Sequence, residues 1–236
     1  MVQIPRLYVP RQLAGLGEIL LEDAQAHYLG TVLRLGPGQM VHLFDDISGE
    51  WQAHVVESHR RRMRLAIDRQ LRPREEAPDL WLCVAPLKRQ RFEWVIEKAA
   101  ELGVRRIQPV LTRRTVAERI NHARLHAHMV EAAEQCGRTA LPELAEAVSL
   151  SALVSTWDEN RPLLFADEDG GAAMTALAPS LPAALLIGPE GGFDPAERES
   201  LLALPAVRRL TLGPLILRAD TAAVAAIAQF RLLANR

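Results

Sequence analysis

The spacing of hydrophobic positions changes near residue 72. Before it, Trp51, Ala53 and Val55 alternate with Gln52, His54 and Val56, and Met63, Leu65 and Ile67 alternate with Arg64, Ala66 and Asp68. A period of two marks strands with one buried face. Gly36-Pro37-Gly38 punctuates before another strand, Met40 to Phe44. One helix interrupts, capped by Asp23, with Ala24, Tyr28 and Val32 sharing a face. Short strands with a single helix predict a small β-barrel.

Arg72-Pro73-Arg74-Glu75-Glu76-Ala77-Pro78 is charged, holds two prolines and reads as a linker. Beyond it, apolar strands alternate with helices. Strands are expected at Leu80–Ala85, Ile107–Leu111, Leu163–Ala166, Leu185–Ile187 and Val207–Leu212. The first helix, Arg89–Leu102, places Phe92, Val95, Ile96, Ala99 and Leu102 on one face and stops at Gly103. A second runs from an Asn121 cap to Cys136 and ends at Gly137, and others fit Glu197–Leu204 and Ala222–Leu233. This alternation predicts an α/β domain with a largely parallel sheet covered on both faces.

Composition narrows the picture only a little. The chain has 236 residues, 49% hydrophobic and 24% charged, with 28 basic against 29 acidic side chains. That is ordinary globular composition, and any basic surface has to be local. Only Lys88 and Lys98 are lysines, and with 35 alanines beside them the arginines fit the codon usage of a GC-rich genome. Cys83 and Cys136 form no Cys-x-x-Cys pair, which favours a reducing, cytoplasmic setting. No signal-peptide core and no apolar run long enough for a bilayer is expected, hence no membrane partner.

In open α/β sheets ligands sit beyond the carboxyl ends of strands. Two junctions there carry chemistry. Leu185-Leu186-Ile187 runs into Gly188-Pro189-Glu190-Gly191-Gly192-Phe193, followed by Asp194-Pro195-Ala196-Glu197, a capping-box pattern. Three glycines allow backbone to approach a ligand closely, and a plain turn has no use for the carboxylate of Glu190. No Gly-Lys-Ser/Thr follows and no Gly-x-Gly-x-x-Gly occurs, so neither a P-loop nor the dinucleotide fingerprint is present. The second junction is Leu212-Gly213-Pro214-Leu215-Ile216-Leu217-Arg218-Ala219-Asp220-Thr221. There Asp220 or Thr221 could simply cap a helix and Arg218 simply pair with a carboxylate.

Together, Ile187–Phe193, Leu212–Arg218 and Thr221-Ala222 resemble the knotted SPOUT-class methyltransferases. Within them the chain is most similar to the ribosomal RNA small subunit methyltransferase E family, which makes N3-methyluridine in 16S rRNA from S-adenosylmethionine. Arg6-Leu7-Tyr8-Val9, Val32-Leu33-Arg34, Trp94–Gly103 and Glu131–Arg138 match as well. The chain departs in having Ala219-Asp220 where the family has Thr-Glu, and Leu125 where it has an aromatic residue. The resemblance implies a PUA-like RNA-binding barrel at residues 1–72 and a SPOUT α/β domain with a trefoil knot at 73–236. It implies a homodimer acting on 16S rRNA or the small ribosomal subunit. It places the cofactor at Phe165, Ala166, Gly188, Pro189, Glu190, Gly192, Leu212, Gly213, Leu217 and Thr221.

Uridine N3 keeps its imide proton at neutral pH, so methylation needs a base and a cation near O2 or O4. Arg218 is the candidate cation, with a phosphate contact as its other role, and Asp220 and Glu190 are the candidate carboxylates. RNA contacts are expected at Arg6, Arg34 and Arg138, and at Arg60, Arg61 and Arg62 on a hairpin. Lys88 and Arg91 join them, because cations at a helix start oppose its dipole. Arg105-Arg106 and Arg113-Arg114 read as surface charge, and Trp51, Trp81, Trp94 and Trp157 as core packing. His122, His126 and His128 cannot converge from one helix, so no metal is expected. Two rival readings are a knotted methyltransferase aimed at another atom, such as a ribose 2′-hydroxyl, and a non-catalytic RNA-binding module.

Overall fold

The computed structural model describes residues 4–116 and 119–234. Its contacts divide into two units, the first taking in residues up to Glu76 together with Ala133–Ala140, the second Ala77–Ala132 and residues from Leu141 onward. The eight residues around Gly137, expected in the C-terminal domain, thus group with the N-terminal one.

In chain order the first unit contains β1 (Arg6–Tyr8), β2 (Glu18–Glu22), α1 (Asp23–His27), β3 (Met40–Asp45), β4 (Gly49–His59) and β5 (Arg62–Arg72). They form a five-stranded sheet in the order β1-β3-β4-β5-β2, antiparallel except for the parallel β1–β3 pair. Ala53, Val55, Met63 and Leu65 turn inward onto Leu13, Leu29 and Leu43, as the period of two requires.

The helix face differs from expectation. After α1 the chain makes a π turn, Tyr28–Val32, in which the Leu33 N–H donates to the Tyr28 carbonyl at 3.0 Å. The buried stripe is Ala26 and Leu29, i,i+3 neighbours that reach the core, while Ala24, Tyr28 and Val32 are exposed.

The second unit comprises β6 (Leu80–Val84), α2 (Arg89–Glu101), β7 (Arg106–Leu111), α3 (His122–Cys136) up to Ala132, β8 (Glu143–Leu144), β9 (Val148–Ser149), α4 (Leu150–Ser155), β10 (Leu163–Ala166), β11 (Ala172–Ala173), α5 (Met174–Leu177), β12 (Ala183–Ile187), α6 (Pro195–Leu202), β13 (Val207–Thr211) and α7 (Ala219–Ala234). Every strand pair is parallel, in the order β11-β13-β10-β12-β6-β7-β8, with β9 also on β7.

The near-continuous apolar runs of β6, β10 and β12 serve two cores at once. Leu80, Leu82, Val84, Leu164, Leu185 and Ile187 join the core that includes residues of α2, α3 and α7. The intervening Cys83, Leu163, Phe165, Ala184 and Leu186 join the one with α4 and α6. Helix ends obey local chemistry: the Asn121 side chain accepts the Arg124 N–H at 3.1 Å, while Gly103 and Gly137 take φ +82 and +86 past α2 and α3. Trp94 is a correction, since at 41% exposure it faces outward from α2. Among the described residues no helix is long and apolar enough to cross a membrane.

Candidate active site

The carboxyl ends of three neighbouring strands, β13, β10 and β12, open into a cleft of about 590 Å³. Phe165 and Ala166 end β10, Gly188–Gly192 follow β12, and Leu212–Arg218 follow β13. Nine residues singled out for a cofactor line it, namely Phe165, Ala166, Gly188, Pro189, Glu190, Gly192, Leu212, Gly213 and Leu217. Arg218 lines it too. Thr221 does not; it is exposed in the first turn of α7, donating its N–H to Asp220 at 2.8 Å.

The loop after β12 takes its shape from close packing. A Cβ on Gly188 would lie 2.5 Å from the Phe193 ring, which stands edge-on against Phe165 at a centroid distance of 5.1 Å. Gly192 adopts φ +67, and a Cβ there would come within 2.9 Å of the Glu168 carboxylate. Gly213, at φ +129, has open space where a side chain would start. The loop's far end is pinned by the predicted capping box: Asp194 accepts the Ala196 N–H at 3.1 Å, and Glu197 accepts the Asp194 N–H at 3.2 Å.

Arg113 and Arg114, read from sequence as surface charge, belong to this frame. Arg113 pairs with Asp194 at 2.9 Å, and its backbone N–H donates to Glu197 at 2.8 Å. Arg114 lines the cleft and donates to the Gly191 carbonyl at 2.8 Å.

Asp167, directly after β10, was missed altogether. Its carboxylate is almost fully buried against Arg198 and Arg209, at 2.8 and 2.7 Å. Burial alone would raise its pKa; hydrogen bonds from Arg198, the Asp169 N–H and Arg209 outweigh that and hold it below the usual carboxylate range. The visible signal was Asp167-Glu168-Asp169 at the end of a buried strand.

The two candidate carboxylates share a cation. Arg91, in the first turn of α2, stands 3.5 Å from Glu190 and 3.8 Å from Asp220. Glu190 lines the cleft; Asp220 lies just outside its lining. Among the described residues Arg218 is exposed and meets no carboxylate.

The expected RNA contacts separate into two groups. Arg34, Arg60, Arg61, Arg62 and Lys88 are exposed, with Arg60 and Arg61 at the turn between β4 and β5. Arg61 and Arg62 face Asp23 and Glu22 at 4.0 and 3.2 Å, which offsets part of their charge. Arg6 and Arg138 are corrections. The Arg6 guanidinium pairs with Glu50 and donates to the carbonyls of Ala133, Glu134 and Arg138 at 2.6, 3.0 and 2.9 Å. Arg138 is buried on Glu75 at 2.7 Å. Both guanidinium groups turn inward to satisfy backbone and carboxylate oxygens, so they hold structure where RNA contact was expected.

Comparison with known proteins agrees along the chain. The RNA methyltransferase domain family matches residues 74–231, and the RNA methyltransferase PUA domain family residues 21–68. The ribosomal RNA small subunit methyltransferase E of Rickettsia conorii is 32% identical, covering 98% of this chain and 96% of its own. The crystal structure of the enzyme of that name from Neisseria gonorrhoeae, bound to S-adenosylmethionine, superposes with a TM-score of 0.89 at 26% identity and covers 98% of each chain. A protein of Legionella pneumophila solved with bound S-adenosylmethionine gives a TM-score of 0.88 at 29% identity, again covering 98% of each chain.

Proposed function

Because this chain belongs to the ribosomal RNA small subunit methyltransferase E family, we propose that it methylates N3 of a uridine in 16S rRNA with S-adenosylmethionine. The observation that carries the reading is the cleft at the ends of β10, β12 and β13. Its volume falls within the roughly 300–1,000 Å³ of small-molecule sites. Its apolar walls, Phe165, Ala166, Leu212 and Leu217, and the open backbone at Gly213 fit an adenosyl group. Bound there, S-adenosylmethionine supplies an electrophilic methyl group on a sulfonium.

The side chains divide the remaining work. Arg218, exposed at the cleft with no competing carboxylate among the described residues, is assigned to the uracil oxygens, where it stabilises charge as the imide proton leaves. Glu190 is assigned as the base because it lines the cleft, and Asp220 and Thr221 order the start of α7 beside it. Exclusion of water from the cleft by the bound reactants favours the step, since a cationic donor and an anionic nucleophile become neutral products and charge is lost toward the transition state.

RNA backbone contacts are assigned to Arg34, Arg60, Arg61, Arg62, Lys88 and Arg91, with residues 1–72 as the PUA-like RNA-binding domain and 73–236 as the SPOUT domain. A trefoil knot in the SPOUT domain is assigned from the family to which the chain belongs. A homodimer is assigned as well, and the exposed Leu215 and Ile216 at the cleft, 76% and 83% accessible, supply apolar surface for a second copy. The cell compartment that fits this substrate is the cytoplasm.

Calorimetric titration with S-adenosylmethionine tests the reading, with Gly192→Trp as control. Micromolar binding that the variant loses, followed by N3-methyluridine in digests of treated 16S rRNA, is the expected result. A folded protein that binds no S-adenosylmethionine would refute it.

A further inference from the structure

A second cavity, about 630 Å³, lies between the first turns of α2 and α3. Leu87, Phe92 and Leu125 form apolar walls, and Arg89, Arg119 and Arg124 bring three cations to it. Glu93, the one carboxylate among the described residues that line it, is nearly buried and already engaged by Arg89 at 3.2 Å, Arg124 at 3.0 Å and His128 at 3.6 Å. Among the described residues three cations against one carboxylate leave positive charge unspent, and Arg119 meets no acid. Asn121 uses its side-chain oxygen on the α3 cap, so its amide nitrogen is the part left to a ligand.

An apolar wall beneath a cationic rim suits a nucleotide, with its base on one and its phosphate on the other. The position suits RNA in particular. Arg89 faces this cavity, while Arg91, two residues on, reaches Glu190 and Asp220 at the methyl-transfer cleft. The two cavities therefore flank the first turn of one helix, whose full width is about 10 Å. That is a distance a strand spans within one or two nucleotides.

We propose that this cavity seats an unpaired nucleotide of the RNA strand flanking the methylated uridine, its phosphate held by Arg119 with Arg89 and Arg124. The proposal rests on the reading of the chain as an rRNA methyltransferase, so wild-type protein and variants are assayed together. The substrates are S-adenosylmethionine and small ribosomal subunits that lack the modification. Arg119→Glu and Arg124→Gln are expected to raise the KM for subunits by about tenfold and to lower the salt slope of RNA binding by about one. Calorimetric affinity for S-adenosylmethionine should stay within about twofold of wild type, since the two sites share no lining residue.

Subunit KM and salt slope unchanged in both variants would overturn the proposal and leave the functional reading intact. Equal loss of S-adenosylmethionine binding would overturn it too, by showing that the substitutions disturb the fold. A wild-type protein that methylates nothing would break the functional reading, and the nucleotide pocket with it.

Discussion

Asp167 and Arg198 meet at 2.8 Å on the edge of the cleft that both line, the carboxylate buried and the guanidinium partly open to solvent. Because the folded protein holds the Asp167 pKa down, folding favours the ionised form. Its contribution is therefore complete above the unfolded carboxylate pKa of about 3.9 and disappears as pH falls through the lower folded value. Asp167→Asn is expected to cost about 2 kcal/mol at neutral pH. In urea titrations the gap to wild type should close as the pH is taken below about 4; a gap that persists in acid would refute the assignment.

Gly188 and Phe193 cannot both keep their places if a methyl group is added. Gly188→Ala drives its Cβ to 2.5 Å from the Phe193 ring, which would have to leave its edge-on contact with Phe165. S-adenosylmethionine affinity should drop by about tenfold or more, as the loop rearranges by the ångström or so that alignment of a bound group does not tolerate. Adding Phe193→Leu, which removes the ring edge, should restore part of the loss; no recovery would place the defect elsewhere.

Arg6 and Arg34 should behave oppositely, although the sequence marks both as RNA contacts. Arg6→Ala removes a partner from the nearly buried Glu50 and strands three backbone carbonyls, costing about 3 kcal/mol in chemical denaturation. Arg34→Ala, at an exposed position, should leave stability within about 0.5 kcal/mol and lower RNA affinity in a salt-dependent way. Equal effects on stability would contradict the distinction.

Glu190→Gln and Asp220→Asn separate the two carboxylates. With Glu190 as base, its amide variant should lose about a hundredfold in kcat while S-adenosylmethionine still binds. Asp220→Asn should lose less, through the α7 turn that it orders. Full single-turnover rates in both would remove carboxylate catalysis from the mechanism.

The two thiols differ in reach. Burial pushes the Cys83 thiol up to about 12, despite the nearby Arg106 and Arg161, whereas Cys136 is exposed. A disulfide reagent at pH 8 should titrate one thiol in the native protein and two in guanidinium. Two native thiols would mean that the core around Cys83 opens readily.

Much of the organisation was legible because it is local. Alternation located β4 and β5, apolar runs located β6, β10 and β12, and the Asp194 box located the start of α6 within the chain's own chemistry. Strand ends followed by glycine then located the cleft. Side-chain destinations were less legible. Arg6 and Arg60 look alike in a sequence, and only the carbonyls brought to Arg6 from beyond residue 130 give it a structural role. Asp167 needed Arg209 from a neighbouring strand, and Arg114 needed the Gly191 carbonyl, each a contact between distant residues. The helix after Glu22 defeated the face count from its first turn, because Ala26 and Leu29, on the next face over from Ala24 and Tyr28, are the ones that the small sheet's core takes up.

The grouping of Ala133–Ala140 with the first unit carries a consequence for biosynthesis. Arg6 emerges from the ribosome 127 residues ahead of Ala133, the first of the carbonyls it binds. At roughly 5–20 residues per second that interval lasts about 6–25 s. During it Glu50 already has Arg6 and Arg72 at hand, but the carbonyl partners of Arg6 are still being translated. The amino-terminal sheet therefore completes its polar contacts late, after the linker and the first strands of the following domain have been made. A gene fragment cut at the linker would encode a unit permanently lacking its closing segment.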